Sequence, residues 1–285
     1  MSGTLYVVGT PIGNLGDFSP RAEETLRQVD FIAAEDTRVT VKILNHFDIH
    51  TKLISYHEHN RKEKGPSIVE RLLNGESCAV VTDAGMPAIS DPGQDLVRLC
   101  HENGINVVTV PGPSAVITAL ALSGLEVSRF TFEGFLSVNK PSRKKHLEEI
   151  KDERRTMVFY EAPHKLAATL RDLHAALGDR RIAIVKELTK IHESVERTTL
   201  AQADGKYDGS KLKGEYVIII EAKTEEERQA EAPPADPVAL ARQYAADGLS
   251  VNEAAKLAAK ETGAKKSEIY RALVDAGNDS PADGI

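Results

Sequence analysis

Cysteine is nearly absent. The 285 residues hold two, Cys78 and Cys100, with no CxxC and no His/Cys cluster. That excludes a disulfide framework and a structural zinc site, and leaves two buried thiols in a reducing compartment as the expectation. Long apolar runs are missing too. The most apolar stretch, Ala115 to Leu122, is too short to cross a bilayer, and Met1-Ser2-Gly3 leads into a strand without a basic and apolar leader. A cytoplasmic protein with no membrane partner is therefore expected. Phosphate signatures are lacking as well: there is no GxxxxGK(S/T), and Gly9, Gly13 and Gly16 do not have GxGxxG spacing, so neither a P-loop nor a dinucleotide fingerprint is present. His57 and His59 have no third ligand at a recognisable spacing, so no metal site is expected.

An excess of positive charge is the last thing missing. The formal net charge is −7, with 41% hydrophobic and 28% charged residues. This is ordinary soluble globular material, long enough for two domains and a small third. The acidic balance counts against a nucleic-acid partner only if it is uniform, and it is not. Glu225, Glu226, Glu227, Glu231 and Asp236 crowd one segment against Arg228, whereas Lys140, Arg143, Lys144 and Lys145 form a basic cluster with no acid among them. An anionic partner stays open.

What is present is an alternation. Apolar runs at Thr4 to Val8, Phe31 to Ala34, Leu53-Ile54, Cys78 to Thr82 and Asn106 to Val110 read as strands. Helical patterns lie between them: one after Ser19-Pro20, then Thr40 to His46, Lys62 to Leu73 and Gln94 to Glu102, with Ser114 to Leu122 following. The class is α/β, a mostly parallel sheet covered on both faces. From about Arg129 the pattern changes to strand candidates at Thr131 to Gly134, Thr156 to Tyr160, Ile182 to Lys186, Glu196 to Leu200 and Tyr216 to Glu221. A helix from Pro163 to Leu177 carries leucines at three- and four-residue spacing, so a second α/β domain is expected. The expected limits are 1–116 and 117–223 for the two α/β domains, an exposed acidic linker over 224–237, a small three-helix, helix-turn-helix-like module over 238–277, and a disordered tail over 278–285. For the module, docking to protein or ribosome, DNA reading and a plain structural cap all remain open.

Three strands of the first half empty into Gly/Pro loops: Gly9-Thr10-Pro11-Ile12-Gly13, Asp83 to Gly93, and Pro111-Gly112-Pro113-Ser114. Proline fixes φ and glycine admits conformations other residues avoid, so such loops have a fixed shape with little bulk. They fall at the carboxyl ends of strands, where sheets of this class bind ligands. Asp83 and Asp91, with the carbonyls such turns expose, suit a cationic, hydrogen-bonding small molecule, and a sulfonium cofactor fits that description. A second group, Ala34-Glu35-Asp36-Thr37-Arg38 and Ser55-Tyr56-His57-Glu58-His59-Asn60-Arg61, gathers carboxylate, guanidinium, imidazole and amide groups in loops.

Together with Tyr160-Glu161-Ala162-Pro163-His164 and Lys186-Glu187-Leu188-Thr189-Lys190, these ordered motifs resemble the tetrapyrrole methylase superfamily, in particular its branch that acts on small-subunit ribosomal RNA. The likeness covers about residues 4 to 221, with the tail similar to that branch's helical module. The resemblance implies two α/β domains with S-adenosyl-L-methionine in the cleft between them, and 2′-O-methylation of a cytidine in the decoding region of 16S rRNA within the small ribosomal subunit by a homodimer. Carried over residue by residue, it assigns the cofactor to Pro11, Asp83, Ala84, Gly85, Met86, Pro87, Ala88, Ile89, Ser90, Ser114, Ala115, Tyr160, Glu161 and Leu188. Lys186 and Lys165 stand where arginine is expected, which exchanges a bidentate grip on phosphate for a point charge. A ribose hydroxyl is a poor nucleophile, so a base is needed. Asp36 is the expected base or orienting group and Arg38 a substrate clamp, with His57, Asn60, Lys140, Arg143, Lys144 and Lys186 as substrate contacts. Tetrapyrrole methylation on the same fold, and a non-catalytic ribosome-assembly or DNA-binding protein, are the rival readings.

Overall fold

The computed structural model describes residues 2–224 and 236–278. The chain divides into two units, Met1–Ala222 and Lys223–Ile285. In the first, the short apolar runs make a five-stranded parallel sheet in the order β3-β2-β4-β1-β5, with β1 (Thr4–Val8), β2 (Phe31–Ala34), β3 (Lys52–Ser55), β4 (Cys78–Val81) and β5 (Asn106–Val110). Every residue of β2 and β4 is buried, as expected of central parallel strands covered on both faces. Alternate residues serve opposite cores, as the two-residue period requires. Leu5, Phe31, Cys78 and Val80 pack on one side against Ile68 and Leu72 of α3 (Arg61–Leu73) and Leu96 and Cys100 of α4 (Gln94–Glu102). Val8, Ile32, Ala79 and Val81 pack on the other against Leu26 of α1 (Pro20–Gln28) and Leu44 of α2 (Thr37–His46).

Helix starts follow local chemistry. The Ser19 side chain accepts the Ala22 N–H with Pro20 in the first turn, as the sequence indicated. The second helix starts three residues earlier than expected, at Thr37, because the Asp36 side chain caps it. The basic cluster lies in a helix that periodicity did not reveal, α6 (Lys140–Ile150), capped by Asn139; Ile150 is its one buried residue, so it leaves almost no apolar stripe.

The second sheet is mixed, in the order β6-β7-β10-β8-β9, from β6 (Phe130–Phe135), β7 (Thr156–Glu161), β8 (Arg181–Lys186), β9 (Ser194–Thr199) and β10 (Tyr216–Ile220). β10 runs antiparallel to both neighbours, pairing Tyr216 with Glu161 on one side and Lys186 on the other. On one face, Leu166, Leu170, Leu173 and Leu177 of α7 (Leu166–Leu177) pack on Met157, Phe159 and Ile218, with Leu200 of the short α8 (Leu200–Ala203) in the same core. On the other, Val116, Ala119 and Leu120 of α5 (Ala115–Ser123) pack on Val158, Val185 and Ile219. The chain thus leaves the first sheet in the turn at 111–114, and the boundary expected at 116/117 falls inside a helix that belongs to the second sheet. α7 starts at Leu166 rather than Pro163, which leaves Ala162 and Pro163 in a turn.

Among the described residues, the second unit holds three helices, α9 (Pro237–Ala246), α10 (Val251–Thr262) and α11 (Lys266–Asn278). The Ser250/Glu253 capping box starts α10, and Gly263, at φ 73°, ends it. Ala241, Ala255, Ala258 and Ile269 form its core. Most of the expected acidic linker and nearly all of the expected disordered tail lie outside the described residues.

Candidate active site

The three Gly/Pro loops are fastened to one another. Gly9 and Gly112 meet backbone to backbone: a Cβ on Gly9 would lie 2.7 Å from the Gly112 Cα and 2.7 Å from the Met86 Sδ. The Thr10 N–H donates to the Gly85 carbonyl at 2.9 Å, the Gly85 N–H returns a bond to the Thr10 carbonyl at 3.1 Å, and the Thr10 hydroxyl reaches the Thr82 carbonyl at 3.1 Å. These loops form one wall of a cavity of about 390 Å³. The ends of β7, β8 and β10 form the facing wall.

Of the residues assigned to the cofactor by resemblance, Ala84, Gly85, Met86, Ile89, Ser90, Ser114, Ala115, Tyr160, Glu161 and Leu188 line this cavity. Pro11, Asp83, Pro87 and Ala88 do not line it: the two prolines are buried in the same loops, and Asp83 and Ala88 are half-buried there. Sequence reasoning missed Ile12, Phe135, Ala162, Pro163, Val185, Glu215, Tyr216 and Val217, which also line it, as does Asp91, already read with Asp83 as suited to a cation. Ile12, Ala162 and Pro163 were inside recognised motifs. Glu215, Tyr216 and Val217 arrive because β10 runs antiparallel, so that its first residues meet the last of β7 and β8; nothing in the sequence encodes that direction.

Two wall residues are held by strained backbone. Ile89 sits between Ala88 at φ 70° and Ser90 at φ 65°, and Leu188 between Glu187 at φ 52° and Thr189 at φ 64°. Each left-handed residue costs on the order of 1 kcal/mol, and such strain persists only where the surroundings impose it. Around Leu188 they do: Glu187 accepts the Glu215 N–H at 3.0 Å and the Lys190 ammonium at 2.9 Å, and the Thr189 N–H donates to Glu193 at 2.6 Å. A Cβ on Gly13 would meet the Leu188 carbonyl at 3.0 Å, so the first loop packs directly on this turn.

The electrostatics come from Glu35 and Asp83, just past the ends of β2 and β4, and from Asp91 at the far end of the second loop. The Asp83 N–H donates to Glu35 at 3.4 Å and the Asp36 N–H to Asp83 at 3.1 Å. Burial raises Glu35 and Asp83 above the usual carboxylate range. Burial, then the neighbouring Glu35 and Asp83, pushes Asp91 up to about 6. Carboxylates shifted this way favour a proton or a cation beside them. Opposite them the wall is aromatic: Tyr160 stands edge-on to Phe132 at 4.9 Å and to Phe135 at 5.5 Å, and burial, with Asp91 nearby, pushes its phenol up to about 12.

The residues expected to act on substrate are elsewhere, and several have other work. Asp36 accepts the Arg38 N–H at 2.8 Å and its guanidinium at 3.0 and 2.6 Å, and Arg38 holds it down to about 2. It is a helix cap in an ion pair, and a weak base. Asn60 shapes its own turn, accepting the His57 N–H at 2.9 Å and donating to the Ser55 hydroxyl at 3.2 Å. The His57 Nδ1 is buried without a hydrogen-bond partner. Arg143 turns inward: its guanidinium binds Asp172 at 2.6 Å and the Thr169 hydroxyl at 2.9 Å, and that hydroxyl donates to the buried Glu161 at 2.5 Å. Lys140 and Lys144 are exposed on α6. The Lys186 ammonium lies 6.0 Å from the Tyr216 ring centre, at the rim of the facing wall. None of these expected substrate residues lines the cavity. Among the described residues no group of three His, Cys, Asp or Glu side chains could hold a metal ion, and no helix is long and apolar enough to cross a membrane.

Two α/β layers closed around an acidic and aromatic cavity are what the comparisons with known proteins bear on. The family model of the tetrapyrrole (corrin/porphyrin) methylases matches residues 4–204, and the chain belongs to that family. It is 46% identical over 270 residues to the ribosomal RNA small subunit methyltransferase I of Halalkalibacterium halodurans, covering 94% of this chain and 93% of that one. To the protein of the same name from Xylella fastidiosa it is 47% identical, covering 94% and 98%. Among solved structures, diphthine synthase superposes with a TM-score of 0.58 at 16% identity over 78% of this chain and 91% of that one. Cobalt precorrin-4 methyltransferase gives 0.58 at 16% over 76% and 94%. These last two show the fold alone.

Proposed function

We propose that the protein is an S-adenosyl-L-methionine-dependent methyltransferase that modifies the ribose 2′-hydroxyl of a cytidine in the decoding region of 16S rRNA. The observation that carries the choice of RNA over a tetrapyrrole is the reach of the likeness: the small-subunit methyltransferases match almost end to end, whereas the precorrin enzyme shares only the fold. The same reading takes the protein as a cytoplasmic homodimer acting on the small ribosomal subunit, which light scattering of the purified protein tests for its oligomeric part.

The cavity residues fit the cofactor. Its volume suits a nucleoside-sized ligand. Ile12, Val185, Leu188 and Val217 offer apolar contact, Ser90 and Ser114 offer hydroxyls, and the Asp91 carboxylate favours positive charge. When bound, S-adenosyl-L-methionine supplies a methyl group on a positively charged sulfur. The chain's own task is to hold the ribose hydroxyl at attack distance and to take its proton. Asp36 was the sequence-based choice for that proton, but its oxygens are committed to Arg38. Asp91 lines the cavity, is half-buried and is pushed up to about 6, mainly by that burial. We assign it the role of proton acceptor, with Arg38, His57, Lys140, Lys144 and Lys186 left to contact RNA and Arg143 reassigned to bracing Glu161 through Thr169.

The test is transfer of tritiated methyl from S-adenosyl-L-methionine to small subunits purified from cells lacking the gene, beside a precorrin as rival acceptor. Label in 16S rRNA, mapped by mass to a ribose-methylated cytidine, is the expected result. Label in the precorrin alone would overturn the reading.

A further inference from the structure

The second unit carries a groove of its own. α11 buries Ile269 in the alanine core and packs Leu273 on it, so the helical period turns Lys266, Tyr270 and Val274 outward as one row with Ser267 and Arg271 beside it. With Lys265 from the turn and Asn252 from the start of α10, this row lines a shallow groove of about 830 Å³. Lys265, Lys266 and Arg271 face it against Asp275 alone, in a chain whose formal net charge is −7. Glu268, outside the lining, pairs with Lys265 at 3.5 Å. The first turn of α11 opens on the groove at Lys266 and Ser267, where helix geometry adds partial positive charge. Tyr270 is 43% exposed and Val274 38%, large apolar areas among the described residues.

Cations spaced along a groove, an aromatic face and an amide are the groups that bind a nucleic-acid backbone and stack an unpaired base. An acidic peptide would be served by the cations without the aromatic row. We infer that the face formed by the start of α10, the turn and α11 is an RNA-docking surface that anchors the ribosomal substrate. This rests on the proposed function for the identity of the RNA, and on the groove itself for the docking.

The full-length protein is titrated with purified small subunits over a range of salt concentrations, comparing wild type with the Lys266→Gln/Arg271→Gln double variant and with Tyr270→Ala. Each lost phosphate contact removes about 0.7 to 0.9 from the slope of log affinity against log salt. The double variant is expected to lose roughly 1.5 from that slope, to bind several-fold more weakly, and to show a raised KM for subunits at unchanged kcat. Tyr270→Ala is expected to weaken binding without changing the slope. Lys266→Glu separates charge from folding, because an acid in a first helical turn favours the helix, so its loss of affinity is a loss of docking. Calorimetry with S-adenosyl-L-methionine should be the same in every variant. Affinity and slope equal to wild type in the double variant and Lys266→Glu would overturn the docking surface. Groove-dependent binding without methyl transfer would leave the docking intact and overturn the transfer reading, and a wild type that binds no RNA would overturn both.

Discussion

Asp91 and Asp36 show how environment, not residue type, decides which carboxylate can move a proton. Asp91 is raised from 3.8 to about 6 by burial and then by Glu35 and Asp83. If it accepts the ribose proton it must be ionised, so kcat/KM should fall as pH drops below about 6. Asp91→Asn should lose about a hundredfold or more, within the range for a general base, and flatten that limb. The same shift has a stability consequence of known sign. Between 3.8 and about 6 the folded state holds the proton and the unfolded state does not, so this group's contribution to stability declines as pH rises through that window. Asp91→Asn should therefore raise Tm at pH 7.5 and leave it unchanged at pH 3.5. A variant that is inactive and also less stable at pH 7.5 would count against the assignment. Asp36 is separable by its own pair of variants. Asp36→Ser keeps a capping oxygen and should keep both Tm and methyl transfer, while Asp36→Ala should lower Tm. Normal Tm with abolished transfer in Asp36→Ser would restore Asp36 as the base.

At the scale of elements, strands and loops were legible because each is a local event. Cys78 to Val81 is a buried apolar run wherever it is placed, and the Gly/Pro density of the loops predicts rigidity before any partner is known. The close meeting of Gly9 with Gly112 was not legible, since it depends on β1 and β5 lying side by side. Adding a Cβ at Gly9 forces backbone apart at 2.7 Å. Gly9→Ala should therefore cost about 1–3 kcal/mol in urea unfolding, the range for overpacking, and weaken cofactor binding through the Met86 sulfur. Helix α6 escaped notice for the opposite reason. It has a good cap in Asn139 and a proline in its first turn, but no apolar stripe for periodicity to find. Arg143, read as part of a basic surface cluster, faces inward because the α6 register sets it beside Asp172 and Thr169. A charge cluster in sequence does not say which of its members are solvated.

At the scale of the molecule, the facing walls of the cavity come from two different sheets, and that pairing exists only in the folded chain. The loops of one wall were legible from their composition; the other wall, apart from Tyr160 to Pro163 and Leu188, needed the antiparallel insertion of β10 between β7 and β8. A ligand between two sheets binds only when both are formed, so it should stabilise them together. At a hundredfold excess over Kd the gain is about 2.7 kcal/mol, or roughly 5–10 °C in Tm for a unit of this size. The unit Lys223–Ile285 has a separate core of three alanines and one isoleucine, Ala241, Ala255, Ala258 and Ile269, and a core that small is marginal by itself. Scanning calorimetry should therefore show a large transition that moves upward with S-adenosyl-L-methionine and a smaller, lower one that does not. RNA should move the smaller one if the α11 groove is occupied. A single transition that shifts as a whole with the cofactor would mean that the two units unfold as one.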